Sequence, residues 1–320
     1  MEIMVSVVMV TYNHAQYIRQ ALDSILMQKV NFKYEIVIGD DCSSDNNQEI
    51  IREYADKYPN IIKPILRERN IGAAQNSLNV RTNCSGKYLA HLEGDDYWID
   101  ENKLQLQVDF LESHPEVFSV AHRNEKVDIN GEHIDYNHSN LKLDCYFNKK
   151  DVMKYRAGLF HTSTVMYRNF YKNTNNEFLL FRNAGKYSGL TLLVFYLATK
   201  SDIYIISRPM SAYRYVVVPD GTNYSSFANN DPIEGTYYLF VLYINLRKYL
   251  KHEYNLNNAV CERALDSILS ILRSNLKNSI KLNKVLIIFD ALNLNDITIL
   301  ITIVMKKIMN KVKRKCGINK

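Results

Sequence analysis

Apolar residues in the first third of the chain keep two alternating rhythms. Residues 3–10 form a β-branched apolar run, read as a buried strand. Residues 15–28 then place Ile18, Ala21, Leu22 and Ile25 on one helical face. A second short strand is expected over residues 34–38, followed by a polar loop and a helix carrying Ile50, Ile51, Tyr54 and Ala55. Residues 61–66 predict a third strand, a helix starts near Gly72, and residues 87–92 predict a fourth strand. Asp100 is placed as the N-cap of a helix bearing Leu104, Val108 and Leu111, which Pro115 ends. Strand–helix units repeated at this spacing predict an α/β fold with a mainly parallel, doubly wound sheet.

The rhythm changes after Pro115. Residues 117–122 and 162–167 read as strands, residues 192–198 as a helix, and residues 203–206 and 211–217 as extended. Beyond Asp231 long helical patterns take over, at residues 237–250, 259–276 and 295–312. Pro219, Gly221, Asn229, Asn230 and Pro232 cluster between the two regimes. The expected division is therefore a catalytic-type α/β domain over residues 1–220 and a helical C-terminal region over residues 221–320.

Composition adds bounds. The 320 residues are 47% hydrophobic and 23% charged, which suits a packed globular chain and not a disordered one. The five cysteines form no Cys-x-x-Cys pair, so neither a disulfide framework nor a zinc site is expected, and a reducing cytoplasm is. Residues 1–4 carry no basic stretch followed by an apolar one, and no secretory signal is expected there. The net charge of +6 is uneven: after Asp296 there is no acidic residue, while Lys306, Lys307, Lys311, Lys313, Arg314, Lys315 and Lys320 are basic. That tail calls for an anionic partner, with membrane phospholipid favoured over nucleic acid. Its alternative is a helix packed on the protein with a solvated basic end.

The candidate chemistry sits where polar loops follow strands, because ligands of open parallel sheets bind at the carboxyl ends of the strands. Four successive strand ends carry Thr11-Tyr12-Asn13, Asp40-Asp41, residues 67–70 with Arg67 and Asn70, and Glu93-Gly94-Asp95-Asp96. The first set can hydrogen-bond a nucleoside, the second can accept from its base or ribose, and Arg67 can face phosphate or base. Three carboxylates packed in one loop repel one another unless a cation or solvent relieves them, and Mg²⁺ or Mn²⁺ favours such oxygen ligands. Each piece also has a purely structural counterpart: a helix-capping loop for Asp40-Asp41, a strand-to-helix turn for Thr11-Tyr12-Asn13, a solvated turn for Glu93–Asp96. Their order on consecutive strand ends is what favours a nucleotide-diphosphate ligand. Nucleotidyltransferase and P-loop chemistry are set aside. Residues 9–17 hold no glycine, and Ser85-Gly86-Lys87-Tyr88 lacks the upstream glycine and the following Ser/Thr.

Three segments carry a resemblance: Ser6-Val7-Val8-Met9-Val10-Thr11-Tyr12-Asn13, Glu35-Ile36-Val37-Ile38-Gly39-Asp40-Asp41-Cys42-Ser43-Ser44-Asp45, and Glu93-Gly94-Asp95-Asp96-Tyr97-Trp98. Together they resemble the family 2 glycosyltransferases, in particular bacterial members that build capsule, O-antigen and other surface polysaccharides. The resemblance covers about residues 4–215. It implies a GT-A type fold, a nucleotide-sugar donor (usually a uridine one), a saccharide or lipid-linked acceptor, and inverting transfer. Carried over by position, Thr11, Tyr12 and Asn13 would meet the nucleoside and Asp41 the base, with Arg67 and Asn70 as further nucleotide contacts. Glu93, Asp95 and Asp96 match the metal loop, with Glu93 in place of its usual first aspartate and the direct ligand expected at Asp95 or Asp96. Asp96 and Arg214 are the residues expected to act at the reacting diphosphate, Arg214 through its Tyr213-Arg214 motif, for which a plain strand arginine is the alternative. Trp98 is expected to pack beneath the site, against a second reading in which it stacks on sugar.

One position departs from the pattern. Relatives carry Gly-Asp at the start of a late helix, and that aspartate is the expected general base; here the residues are Gly189-Leu190. Leucine cannot take a proton. Either the correspondence slips in register, or another residue serves (Glu177 upstream and Asp202 downstream are the nearest carboxylates), or the chain binds donor without efficient turnover.

Overall fold

The first apolar run becomes β1 (Ile3–Thr11), whose residues from Val5 to Met9 are buried on both faces of the sheet. A computed structural model describes residues 2–136, 141–155, 158–171, 189–215 and 231–315. Helix α1 (Ile18–Leu26) buries Ile18, Ala21, Leu22 and Ile25, the face its spacing predicts. There follow β2 (Lys33–Asp40), α2 (Asn47–Lys57), β3 (Ile62–Leu66), α3 (Ala73–Thr82), β4 (Tyr88–Glu93), the two-residue β5 (Tyr97–Trp98) and α4 (Lys103–Ser113). Asp100 does not cap α4 itself; its Oδ1 accepts from the Asn102 N–H one turn earlier.

After α4 come β6 (Ser119–Val127), β7 (His133–Tyr136), β8 (Cys145–Phe147), α5 (Lys149–Tyr155), a 3₁₀ turn (Thr162–Thr164), β9 (Met166–Arg168), α6 (Gly189–Lys200) and β10 (Ile203–Arg214). Among the described residues these form one 10-stranded sheet ordered β3-β2-β1-β4-β9-β6-β10-β5, with β7 on β6 and β8 on β10. The pairs β1–β2, β1–β4, β2–β3 and β6–β10 are parallel, whereas β9 runs antiparallel between β4 and β6. This is the mainly parallel α/β sheet expected. The two extended stretches after α6 are one strand, interrupted by register shifts around Pro209. Proline offers no N–H to the ladder, so a bulge is the form in which a strand accommodates it.

The chain divides into two compact units, Met1–Val216 and Val217–Lys320. The core of the first joins Val5, Val7, Met9, Ile36, Ile38 and Leu92 from the strands to Leu22, Ile51 and Leu104 from the helices. The second is helical: α7 (Pro232–Leu250), α8 (Asn257–Arg273), α9 (Asn278–Asp290) and α10 (Leu294–Lys315). Asp231 caps α7 by accepting from the Ile233 and Glu234 N–H groups. Inside this unit Asp296 is buried and paired with Arg247 at 2.6 Å. Glu177, Ser188 and the boundary cluster before Asp231 lie outside the described residues.

Candidate active site

Strand register brings the polar strand ends to one edge. Thr11 lies opposite Asp40, Val10 opposite Glu93, and Asp40 opposite Leu66. The loops that follow β1, β2, β3 and β4 therefore share a single rim, as a parallel sheet requires.

The two aspartates after β2 have different surroundings. Asp40 is fully buried and accepts from the Ser43 N–H (2.9 Å), Asn47 Nδ2 (2.7 Å) and Gln48 Nε2 (2.7 Å). It fixes the β2–α2 loop and faces inward. Asp41 turns to the next loop: its two oxygens accept from the Ile71 and Gly72 N–H groups, each at 2.8 Å. A carboxylate has about four lone-pair sites, so Asp41 keeps acceptor capacity for a base while latching residues 71 and 72. Asn70 Oδ1 joins the latch at the Gly72 N–H, 3.0 Å away. Gly72 sits at φ 86°, a conformation that a side chain would strain.

Thr11 is buried, and its Oγ1 accepts from Asn47 Nδ2 at 3.0 Å. Tyr12 is half-buried beside it. Asn13 adopts φ 56°, donates its N–H to Ser43 Oγ and accepts from the Ser44 N–H. Asn13 thus ties the first polar loop to the second. Arg67 gives its guanidinium to Asn76 Oδ1 (3.1 Å) and Asn79 Oδ1 (2.7 Å) on α3.

The acidic loop closes tightly because Gly94 lets it. A Cβ there would stand 2.5 Å from Thr11 Oγ1 and 3.0 Å from His14 Nδ1. Asp96 is buried; its Oδ1 accepts from the Arg214 N–H at 2.9 Å, and its Oδ2 has no hydrogen-bond partner. That second oxygen lies 3.6 Å from His161 Nδ1. Glu93, Asp96 and His161 each offer a ligand atom, all within 4.8 Å of one another. Asp95 stands outside this set, with Oδ2 3.8 Å from His14 Nε2. Burial, then the Asp95 charge, pushes the Glu93 carboxyl up to about 7. Burial, then Asp95 and Glu93, holds Asp96 well above the usual carboxylate range. An orphaned buried oxygen among like charges is the condition a divalent cation relieves, and the donor set fits one.

Neither His161 nor His14 was among the sequence-derived candidates. His161 is 65 positions from Asp96 and reaches it because β9 inserts beside β4. The 3₁₀ turn after His161 is held by Trp98, whose Nε1–H donates to the Ser163 carbonyl at 3.1 Å, and by Gln107, which donates to the Thr164 carbonyl at 2.8 Å. Trp98 is 1% exposed, with Lys103 Nζ 4.1 Å from its ring centroid. Its place is packing beneath the site. The Tyr213 ring packs on His161 at 4.2 Å.

Arg214 is buried, and its guanidinium is engaged on every side. Nε donates to the Asp95 carbonyl (3.0 Å), Nη1 to the Asp128 and Ile129 carbonyls, and Nη2 to Gln20 Oε1 (2.7 Å). The ring of Tyr17 lies 4.5 Å below it. In this structure Arg214 braces the acidic loop through its backbone and side chain. Leu190 is half-buried at the start of α6. Asp202 precedes β10 while Arg214 closes it, and the paired stretch Val120–Val127 of β6 alone spans about 23 Å at about 3.3 Å per residue, so the two are more than roughly 20 Å apart. Asp202 therefore cannot stand in for a base beside Asp96.

The model of glycosyl transferase family 2 matches residues 6–173, which hold every strand end of this rim. The chain belongs to that family. The chain is similar to an uncharacterized protein of Mycobacterium tuberculosis (strain ATCC 25618 / H37Rv), 46% identical over 117 residues, 37% of this chain and 34% of that protein. The putative teichuronic acid biosynthesis glycosyltransferase TuaG of Bacillus subtilis (strain 168) is 34% identical over 118 residues, 37% of this chain and 46% of that protein. These alignments span less than half of either relative. Among solved structures, S. aureus TarS 1-349 in complex with UDP-GlcNAc superposes with a TM-score of 0.52 at 16% identity, covering 94% of this chain and 79% of that one. The fold is that of the GT-A glycosyltransferases.

Proposed function

We propose that this chain is a metal-dependent, inverting glycosyltransferase that moves a sugar from a nucleoside-diphosphate donor, a uridine one, to a hydroxyl of a growing surface polysaccharide or lipid-linked acceptor. The observation that carries this reading is the rim itself: Thr11 and Asp41 on one side, and the orphaned Asp96 Oδ2 with Glu93 and His161 on the other. Family membership supports the transferase chemistry. The teichuronic acid name of TuaG supports a surface polysaccharide product, and TarS shares the fold and holds UDP-GlcNAc.

Glu93, Asp96 and His161 would hold the cation, and an imidazole among carboxylates suits Mn²⁺ better than Mg²⁺, which prefers all-oxygen ligands. Such a cation neutralises the charge of a diphosphate leaving group. Thr11, Tyr12 and Asn13 line the nucleoside side, and Asp41 accepts from the base while holding residues 71 and 72. Asn70 and Arg67 shape that same loop. Asp95, outside the cation set, would contact the nucleotide sugar, and Arg214 keeps Asp95 and Asp96 in register. The acceptor hydroxyl attacks the sugar C1 from the face opposite the diphosphate. The C–O bond to acceptor forms as the C1–O bond to phosphate breaks, and the hydroxyl proton must leave with it.

Leu190 favours a second reading: a donor-binding relative with little turnover, because the expected proton acceptor is absent. Both readings require the cation site. Titration calorimetry of UDP with Mn²⁺ checks it, on native protein and Asp96→Ala. Loss of Mn²⁺-dependent affinity in a variant that melts like native protein is expected; unchanged affinity removes the cation site from the account.

A further inference from the structure

Large apolar side chains that remain exposed are concentrated in one place. Ile280, Leu282, Leu286, Ile287 and Phe289 of α9, Leu294, Ile301, Met305, Ile308 and Met309 of α10 are all exposed. On α9 only Ile288 is buried among its thirteen residues. A chain seldom leaves this many large apolar side chains exposed on two successive helices without a partner for them.

On α10 the exposure has a direction. Leu294, Ile301, Met305 and Ile308 recur at helical spacing and, with Met309, are between 52% and 84% exposed. Leu292, just before the helix, and Asp296 and Leu300 within it are buried on the opposite face. So one face packs within the helical unit and the other presents an apolar stripe. Thr298 falls in that stripe, but its hydroxyl donates to the Leu294 carbonyl at 3.1 Å, which leaves no free donor there. This differs from the simple reading of residues 297–305 as one embedded segment. Leu300 is buried and Ile297, Ile299, Ile303 and Val304 are half-buried, so the outward stripe begins earlier and runs later.

We infer that the outward face of α10 is an in-plane docking surface for an anionic lipid bilayer, with the stripe in the headgroup–acyl boundary and lysines over the headgroups. Charge decides the occupant. Lys306 and Lys307 are exposed in the last turns of α10, Lys306 at the flank of the stripe, and no acidic residue follows Asp296. A second copy docked through the same face would set these lysines against their equivalents with no carboxylate on α10 beyond Asp296 to pair them. An anionic bilayer answers both the stripe and its basic flanks. Among the described residues no single helix is long and apolar enough to cross a membrane; α9 and α10 reach that apolarity only together, and they bend by 119° at the break between them, too sharply for one straight span.

Flotation of the full chain with phosphatidylcholine vesicles, with and without phosphatidylglycerol, tests this. Deleting residues 295–320 is a poor probe, since it removes the buried Asp296 that pairs with Arg247. Ile301→Asp with Ile308→Asp changes only exposed positions. It is expected to melt like native protein and to lower binding to anionic vesicles by at least about tenfold. Lys306→Gln with Lys307→Gln should lower it by about tenfold on anionic vesicles and leave neutral ones unchanged. Native protein that fails to float, or floats equally well with the two aspartates, overturns the proposal. A native dimer in light scattering that those aspartates split, without vesicle binding, overturns it in favour of self-association.

Discussion

At Asp96 one carboxylate oxygen is fixed by a backbone N–H and the other has no donor, and most of the expected chemistry follows from that asymmetry. Burial and the Asp95 charge push the Glu93 carboxyl up to about 7 and raise that of Asp96 as well. Carboxyls raised in the folded state stabilise it below their ordinary values, and that contribution is lost as pH rises through the folded ones. A cation needs the deprotonated ligands, so its stabilisation grows over the same window. The increase in melting temperature on adding Mn²⁺ should therefore be larger at about pH 8 than at about pH 6. Glu93→Gln should shrink the difference, and equal increments at both pH values would count against the set. His161→Ala should weaken Mn²⁺ binding while leaving metal-free UDP binding as it was, as read by calorimetry. Leu190→Asp addresses the missing proton acceptor. A positioned carboxylate contributes about 10²–10⁴-fold, so single-turnover transfer should rise at unchanged donor affinity. A fall would place the base elsewhere. Glu93 and Asp96 were candidates in the sequence because three carboxylates in one loop are costly alone. His161 was not, since its proximity depends on where β9 enters the sheet.

Among the elements, the rim depends on loops latched to one another. Gly94→Ala would drive a Cβ into Thr11 Oγ1 at 2.5 Å. It should cost about 1–3 kcal/mol in denaturant unfolding and weaken donor binding together with stability. Asp41→Asn keeps the size but weakens acceptance from Ile71 and Gly72, so donor affinity should fall more than stability does. The long apolar strands and one-sided helices β1, α1, β2, α2 and α4 were readable because each buries a continuous run or a single face. Strands β5, β7 and β8 were not, being two to four residues long and held by tertiary pairing. Helix α9 also escaped: with only Ile288 buried, its apolar residues lie on more than one side and show no one-sided period. By pattern alone Asp40 and Asp41 were one pair and only the resemblance singled out Asp41; the fold turns Asp40 inward and Asp41 to the next loop.

At the scale of the whole molecule, the α/β unit carries the transferase rim and the helical unit carries the exposed apolar stripe. Asp296→Ala would leave Arg247 without its buried partner. It should remove about 3 kcal/mol from the transition that unfolds the helical unit, with UDP–Mn²⁺ affinity unchanged. The central claim is that this family 2 chain breaks a nucleotide-sugar bond in a cation-dependent way. The direct measurement is release of nucleoside diphosphate from a panel of nucleotide sugars with Mn²⁺ and an acceptor, with and without chelator. The account predicts release from a uridine-linked donor that chelator abolishes and Mn²⁺ restores. Release that persists undiminished in chelator, or in Asp96→Ala, would contradict it.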